Sequence, residues 1–402
     1  MTGIGGSTIE KELNAISKSI KTIKPIQKPE FQSRIDKAIK LMVENNVAAM
    51  YLHAGTNLFY FTGMRWTPSE RMVGAILFKN GTLNYIAPSF EKGTILDFML
   101  IEGDVLVWEE HESPYQLFIE ALATNGVIEN DIYIDETTPF FITDGINQLT
   151  STLNLVNASL IISKCRIIKS LNEIAIIQYV MDITLKVQQA AARILKIGIS
   201  AQTVIDFINE AHKRFGIESG SYFCIVLFGE DSSFPHGVRK PKNLELNDIV
   251  LIDTGCMLYD YISDITRTYI FGKPNKEQEH VWSIEKETQL AAFKAAQPGG
   301  TCEIVDHAAR KVLCLYGLGP HYKLPGLPHR TGHGIGLDIH ENPYIVKGNT
   351  TQLEPGMCFS IEPMICIPNK FGIRLEDHVF MTIHGPKWFT KPAYSLENPF
   401  GV

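Results

Sequence analysis

The chain has little of what would mark a secreted, membrane-spanning or nucleic-acid-binding protein. Its seven cysteines (165, 224, 256, 302, 314, 358 and 366) are odd in number and scattered, with no Cys-x-x-Cys pair. That argues against a disulfide framework and against a structural zinc knuckle. No uncharged apolar run approaches the ~18–20 residues of a spanning helix. The N-terminus, MTGIGGSTIEKEL, lacks the apolar stretch of a signal peptide. Positive charge is in deficit, with 37 Lys and Arg against 44 Asp and Glu and a formal net charge of −7. This balance gives no basic footprint for nucleic acid and a poor electrostatic match to anionic membranes. The chain reads as cytoplasmic, with neither partner expected.

What is present is a globular composition, 45% hydrophobic and 20% charged, which fits neither disorder nor a fibrous repeat. Single cores stop growing near ~250–300 residues, so a chain of 402 residues is expected to hold two domains. The first is expected over 1–169. It opens with an amphipathic helix at about 7–23, with apolar residues at Ile9, Leu13, Ile16, Ile20 and Ile23 and a Ser7–Glu10 capping box. That helix is expected to pack on its own domain and to end at Pro25 and Pro29. Helical and extended segments then alternate, which predicts a compact α/β unit. AAMYLHAG, NLFYFTG and LIISKCRIIK read as extended, and a hairpin turns at Asn80-Gly81. This part contains no metal-ligand spacing and no glycine-rich phosphate loop.

The second domain is expected over 170–402. Ser170 and Glu173 form a capping box opening a long helix, and Ser200 caps the next. Helices near 277–296 and 302–316 are interspersed with strand-like segments, giving an α+β unit. Here acids stand where a core should be. Asp253 follows Ile249-Val250-Leu251-Ile252, a buried-strand pattern, and Asp264 lies in SDITRTYIF, eleven residues on. A hairpin through TGCMLYDYIS would bring the two together. Adjacent ionised carboxylates repel unless a cation lies between them. The plainer reading pairs one acid with Arg267 and leaves the other solvated. Glu362 in CFSIEPMI and Glu376 in GIRLEDHVF repeat the oddity, on two strands joined through Pro368-Asn369-Lys370. Arg374 shares a strand face with Glu376 by alternation.

Between the acid pairs runs PHRTGHGIGLDIHE, with His329, His333 and His340 around a glycine repeat. His236 in FPHG is another loop candidate, and the residues alone do not say which histidine meets a metal. Two Asp, two Glu and one neutral His carry four negative charges, which matches two divalent cations. Oxygen donors with a single imidazole favour Mn²⁺, Co²⁺ or Fe²⁺ over a thiolate-type zinc site. Two close metals can lower the pKa of a shared water and polarise a carbonyl, so hydrolysis is the simplest reaction.

The order Asp–Asp–His–Glu–Glu, carried by LIDTG, SDITRTY, HRTGHGIGLDIHE, SIEP and GIRLED, resembles the M24 "pita-bread" metallopeptidases. That family includes prolidase, aminopeptidase P and methionine aminopeptidase. NLFYFTG ahead of it is similar to the creatinase-type N-terminal domain of the proline-specific branch. The resemblance implies a pita-bread catalytic domain and a dinuclear, metal-dependent exopeptidase cutting the Xaa-Pro bond. An Xaa-Pro dipeptidase is expected first and an Xaa-Pro aminopeptidase second, acting on proline-containing dipeptides or short peptides. It implies that Asp253, Asp264, His333, Glu362 and Glu376 bind two metal ions, with Mn²⁺ first and Co²⁺, Fe²⁺ or Zn²⁺ as alternatives. Asp264 and Glu376 would bridge them, and Glu362 would take a proton from the attacking water. His236 and His340 would contact the substrate carbonyl, while His329 and Arg374 would hold the proline side. The same resemblance implies a homodimer. Cys256 and His378 fall outside the matched motifs and are expected to pack structurally.

Overall fold

The structure, a computed structural model, describes residues 3–17 and 23–401. It divides into two compact units, Ile26–Arg166 and a second formed by Met1–Pro25 with Ile167–Val402. Helix α1 (Ile9–Ala15) therefore belongs with the second unit, not with the domain that follows it in sequence. The reason is tertiary. Glu12 of α1 pairs with Arg193 at 2.7 Å, and Leu13 and Ile16 pack against the core around Val204 and Phe207. The helix is capped by Thr8, which accepts from the Lys11 amide, rather than by Ser7. Residues 18–22 of the expected helix lie outside the described residues.

The first unit runs α2 (Lys28–Glu44), β1 (Ala49–His53), α3 (Thr56–Thr62), β2 (Gly74–Phe78), β3 (Leu83–Pro88), α4 (Lys92–Phe98), β4 (Asp104–Trp108), α5 (Pro114–Thr124), β5 (Asp131–Ile134), α6 (Phe140–Asn147), β6 (Asn154–Asn157) and α7 (Ser159–Arg166). Its sheet has the order β4-β3-β2-β1-β5-β6, antiparallel through β1–β3 and parallel outside them. β1, β2 and β3 are buried along their whole length, which is why they read as unbroken apolar runs. The β2–β3 hairpin turns at Asn80-Gly81 as expected. Pro29 sits in the first turn of α2 and so begins a helix instead of ending one. The aromatic stretch read as extended is α3, set between Gly55 and a left-handed Gly63 cap. The Ile-rich run read as a strand is α7, whose Ile161, Ile162 and Cys165 are buried at helical spacing.

The second unit continues with α8 (Leu171–Arg193), α9 (Ala201–Arg214), β7 (Ser221–Phe228), β8 (Asp248–Leu258), β9 (Tyr261–Ile262), β10 (Ile265–Phe271), α10 (Lys276–Ala295), α11 (Cys302–Leu315), β11 (Gly332–Gly334), β12 (Glu341–Ile345), β13 (Cys358–Ile361), β14 (Met364–Ile367), β15 (Phe371–Arg374), β16 (Asp377–Thr382) and β17 (Gly385–Trp388). The Ser170–Glu173 capping box opens α8 as expected. One sheet has the order β10-β8-β7 with β9 on β8, a second the order β12-β11-β13-β16-β17, and β14 and β15 form a hairpin.

Strand alternation in β8 sorts its side chains between two cores. Val250 and Ile252 pack with Val204, Phe207 and Ile208 of α9, whereas Ile249 and Leu251 pack with Trp282 of α10 and Ile365 and Ile373 of the hairpin. Asp253 continues the second set, towards the β14–β15 hairpin. In β13 and β16, Phe359, Ile361, Val379 and Met381 face α10 and α11. Ser360 and His378, paired opposite each other and alternating with these residues, face the other way. Among the described residues, no helix is long and apolar enough to cross a membrane.

Candidate metal centre and active site

The β8–β10 pairing sets Thr266 opposite Asp253 and Thr254 opposite Ile265. Asp264, read as a strand residue, is the last residue before β10. Glu362 lies between β13 and β14, and Glu376 between β15 and β16. Three of the four acids thus sit at strand breaks, where the backbone is free to turn a carboxylate inward. The joining turn at 368–370 is where the sequence placed it, with Met364 paired to Arg374.

His333 is the centre of β11. A Cβ on Gly332 would lie 2.0 Å from the Ser360 carbonyl oxygen, and one on Gly334 2.3 Å from that of Asn342. The flanking glycines therefore let β11 lie close enough to both neighbours to bury the imidazole. His333 Nδ1 donates to the Gly334 carbonyl at 3.0 Å, which leaves Nε2 facing the acids. From it, Glu362 Oε1 lies at 3.2 Å, Asp264 Oδ2 at 3.7 Å and Glu376 Oε1 at 3.9 Å. Asp253 joins the group through Arg374, whose Nη2 donates to Asp253 Oδ2, while its Nε donates to Thr266 Oγ1 at 3.0 Å. Thr266 in turn donates to Glu376 Oε2 at 2.7 Å.

All five of these residues are buried, and the acids are short of partners. Asp253 Oδ1, Asp264 Oδ1 and Glu376 Oε1 make no hydrogen bond. Burial, together with the neighbouring carboxylates, pushes the Asp264 and Glu376 carboxyls well above their usual range. Burial alone would raise Glu362 as well. The charge and hydrogen bond of His333, with His329 and Arg374 behind it, hold Glu362 well below the usual range instead. One arginine does not balance four acids. The orphaned oxygens, the crowded carboxylates and an imidazole nitrogen aimed at three of them fit a site built around cations.

The outer residues arrange themselves differently. Arg374, expected at the substrate, is only 3% exposed and turns its donors to Asp253, Thr266 and, at 3.3 Å, the Pro235 carbonyl. The uncompensated acid charge draws it inward. Here it acts as a counter-ion that also ties down the loop carrying His236. The same acids do not use Arg267, which pairs with Asp377 at 2.7 Å and donates to the Glu376 carbonyl at 3.0 Å. Gln289 of α10 holds the other side of Asp377 and the Leu375 carbonyl, both at 3.0 Å. The break carrying Glu376 is thus clamped from two directions. Glu285, also wholly buried on α10, is pushed well above the usual carboxyl range by burial.

His329 donates through Nδ1 to the Arg330 carbonyl at 2.7 Å, and its Nε2 is buried without a partner. Its pKa is lowered by burial and responds to Glu362, Arg374 and His236, so it faces the same space. The His340 ring lies 4.1 Å from that of His333, with its outer edge exposed. Burial of its inner edge, aided by His333, brings its pKa down to about 4. The neighbouring Glu341 is engaged by the buried Lys169 at 2.5 Å, so His340 is not needed to neutralise it. His236 is exposed at the mouth.

One residue departs from the expectation of structural packing. His378 lies within the cluster, where single donor atoms from Asp264, His333, Glu376 and His378 all fall within 4.8 Å of one another. The sequence signal was weak, because the side chain had to be placed on the inner face of β16 before its surroundings could be known.

A model of the metallopeptidase family M24 matches residues 175–382, and one of the creatinase/prolidase N-terminal domain matches residues 34–168. The putative dipeptidase YkvY of Bacillus subtilis is 30% identical over 354 residues, covering 88% of this chain and 96% of its own. Among solved structures, the dipeptidase PepE from Mycobacterium ulcerans superposes with a TM-score of 0.84 at 29% identity, covering 93% of this chain and 99% of its own. A prolidase from Thermococcus sibiricus gives 0.79 at 30% identity, with 90% and 97% covered.

Proposed function

The chain belongs to metallopeptidase family M24, and on that premise we propose that it is a dinuclear Xaa-Pro dipeptidase. The observation that carries the reading is the assembled cluster of four carboxylates and one imidazole, in a chain matched by both the catalytic and the N-terminal domain models. Asp253, Asp264, His333, Glu362 and Glu376 would hold two divalent ions, Mn²⁺ first. When bound, such ions act as Lewis acids on a carbonyl and lower the pKa of water.

The chain's own groups do the rest. Glu362 takes a proton from the water that attacks the scissile carbonyl carbon. The depressed pKa of His340 keeps it neutral near pH 7, and it donates one ring N–H to the developing oxyanion; His236 reaches the same oxygen from the mouth. As the carbon–nitrogen bond breaks, Glu362 returns its proton to the proline nitrogen, which must leave as an amine. His329, with Nε2 free, meets the substrate on the proline side. Arg374, counter-ion to Asp253 and anchor of the loop carrying His236, stands beside it on that side.

The enzyme is proposed to be cytoplasmic and homodimeric. Sedimentation of a fully active monomer would remove the second statement. The decisive experiment compares release of proline from Ala-Pro with cleavage of Ala-Pro-Ala, both in Mn²⁺. Cleavage of Ala-Pro alone supports the dipeptidase. Preference for the tripeptide makes the chain an Xaa-Pro aminopeptidase, and cleavage of neither rejects the proline-specific reading.

A further inference from the structure

Among the buried histidines, His378 is the least provided for. His212 has both ring nitrogens occupied, by Thr184 Oγ1 at 3.3 Å and Ser221 Oγ at 2.9 Å. His53 uses Nδ1 with the Tyr51 hydroxyl and His333 uses Nδ1 with the Gly334 carbonyl. His378 is 1% exposed, and neither of its nitrogens meets a partner in good hydrogen-bond geometry, the Asp264 backbone being the nearest protein group that could offer one. An imidazole carries one donor and one acceptor, and leaving both unmet in the interior is unfavourable. A hydrocarbon side chain of similar size would avoid that cost, so packing does not explain a histidine here.

Its position says what the missing partner is. The register of β13 with β16 sets His378 opposite Ser360. Ser360 Oγ accepts from the His333 amide at 2.8 Å and donates to Glu362 Oε1 at 3.4 Å. Asp377 points the other way, to Arg267 and Gln289, while Glu376 and His378 point inward. The His378 ring stands 5.8 Å from that of His333, at 65° to it. Opposite ligands on a small divalent ion lie about 4 Å apart, twice a bond of ~2.1 Å. The 4.8 Å limit on the donors of Asp264, His333, Glu376 and His378 is therefore close to one coordination sphere before contraction.

We propose that His378 is an additional protein ligand, supplying a second imidazole to the ion on the Asp264–His333–Glu376 side. This rests on the dinuclear reading above and deepens it. The two ions would then be unlike. One is bound by two nitrogens and carboxylates, and the other, on the Asp253 side, by oxygen alone. Imidazole suits Co²⁺ and Zn²⁺ better than it suits Mn²⁺, so the nitrogen-rich position holds its ion more tightly and fills first.

The test uses the full-length protein, stripped of metal and titrated with Co²⁺, reading binding by calorimetry and ligand type by visible absorption. The variants are His378→Phe, which keeps the volume, and His378→Ala, which leaves room for added imidazole. The parent is expected to bind two ions in two distinguishable steps. In His378→Phe the tighter step weakens at least tenfold and its absorption bands shift, while the melting temperature without metal is unchanged or raised. In His378→Ala, millimolar imidazole restores the parent spectrum. Two steps of parental affinity and spectrum in His378→Phe would overturn the proposal and leave the dinuclear reading standing. A lower metal-free melting temperature with unchanged Co²⁺ binding would likewise overturn it, and would make His378 a packing residue. A parent that binds no Co²⁺ would remove both.

Discussion

In the first unit, the buried carboxylate of Asp135 accepts hydrogen bonds from the His53 amide at 3.2 Å, Asn57 Nδ2 at 2.7 Å, and the Thr137 amide and hydroxyl at 2.9 and 2.8 Å. Arg166 Nη1 reaches Asn57 Oδ1 at 2.7 Å, so a cation stands one residue behind. In the second unit, four buried carboxylates share one arginine and leave three oxygens without partners. Both arrangements bury acid in a folded core. The first is complete with protein atoms alone and fixes β1, β5 and α3 to one another. The second is incomplete without cations. A buried acid is therefore not in itself a sign of chemistry, nor is a lone unpartnered one such as Glu285; several crowded together with unmet lone pairs are.

The difference is open to direct attack. Metal removal has the largest expected effect, because it touches only the incomplete cluster. Exhaustive chelation should abolish Ala-Pro hydrolysis, and Mn²⁺ or Co²⁺ should restore it. Full activity in protein shown metal-free by elemental analysis would contradict the reading. Next comes Asp264→Asn, which removes one charge from the crowded set. The variant should lose one ion and about three orders of magnitude in kcat, since a dinuclear site supplies several kcal/mol of charge stabilisation. Its metal-free melting temperature should hold or rise, because a like charge is gone from a buried group. Two tightly held ions and parental turnover would refute the assignment.

His340→Ala probes the rim instead of the acids. Loss of one preorganised donor should cost ~10²–10³ in kcat, roughly 2.7–4 kcal/mol, with metal content unchanged. A normal kcat with a lowered melting temperature would make His340 structural. Asp135→Ala is the matching experiment in the complete cluster. Stranding Asn57, Thr137 and the His53 amide should cost about 2–4 kcal/mol of stability. Activity per folded molecule should stay the same, and a fall in kcat without loss of stability would break the contrast.

The same contrast explains which parts were legible beforehand. Asp253, Asp264, His333, Glu362 and Glu376 stood out because each interrupts an apolar run or a glycine repeat, and local sequence reports such interruptions directly. The capping box of α8 and the Asn80-Gly81 turn are also local signals. What failed needed tertiary information. Phe59, Tyr60 and Phe61 favour strands by propensity, yet Gly55 and Gly63 bracket them into α3. The Ile161-Ile162 pair in α7 is β-branched but buried at helical spacing. Arg374 shares the face of the acids, as alternation implied, and its pairing with Asp253 could be known only once the strands were assembled. His378 carried no local mark, because its unsatisfied nitrogens exist only once β16 pairs with β13. The association of α1 with the second unit hangs on Arg193, which lies far along the sequence from Glu12.

The smallest effect concerns His212, the satisfied counterpart of His378. It is fully buried between α8 and β7, with both nitrogens hydrogen-bonded to hydroxyls, and burial drives its pKa from 6.5 down to about 3 against a weak upward pull from the Ile208 backbone. The unfolded chain takes up a proton there near pH 6.5, whereas the folded chain does not until about pH 3. Protons therefore favour the unfolded state throughout that window. The stabilisation is fully present above pH 6.5, shrinks as pH falls, and stops changing below the folded pKa. Between pH 7 and pH 5 this one group should remove about 2 kcal/mol of stability, at up to ~1.4 kcal/mol per pH unit. His212→Gln keeps a hydrogen-bonding side chain and removes the titration. Its denaturant-unfolding free energy should then fall less than the parent's over that interval, whatever the acid cluster contributes to both. Equal slopes in parent and variant would mean that His212 is protonated in the fold, and that its hydroxyl partners do not hold it neutral.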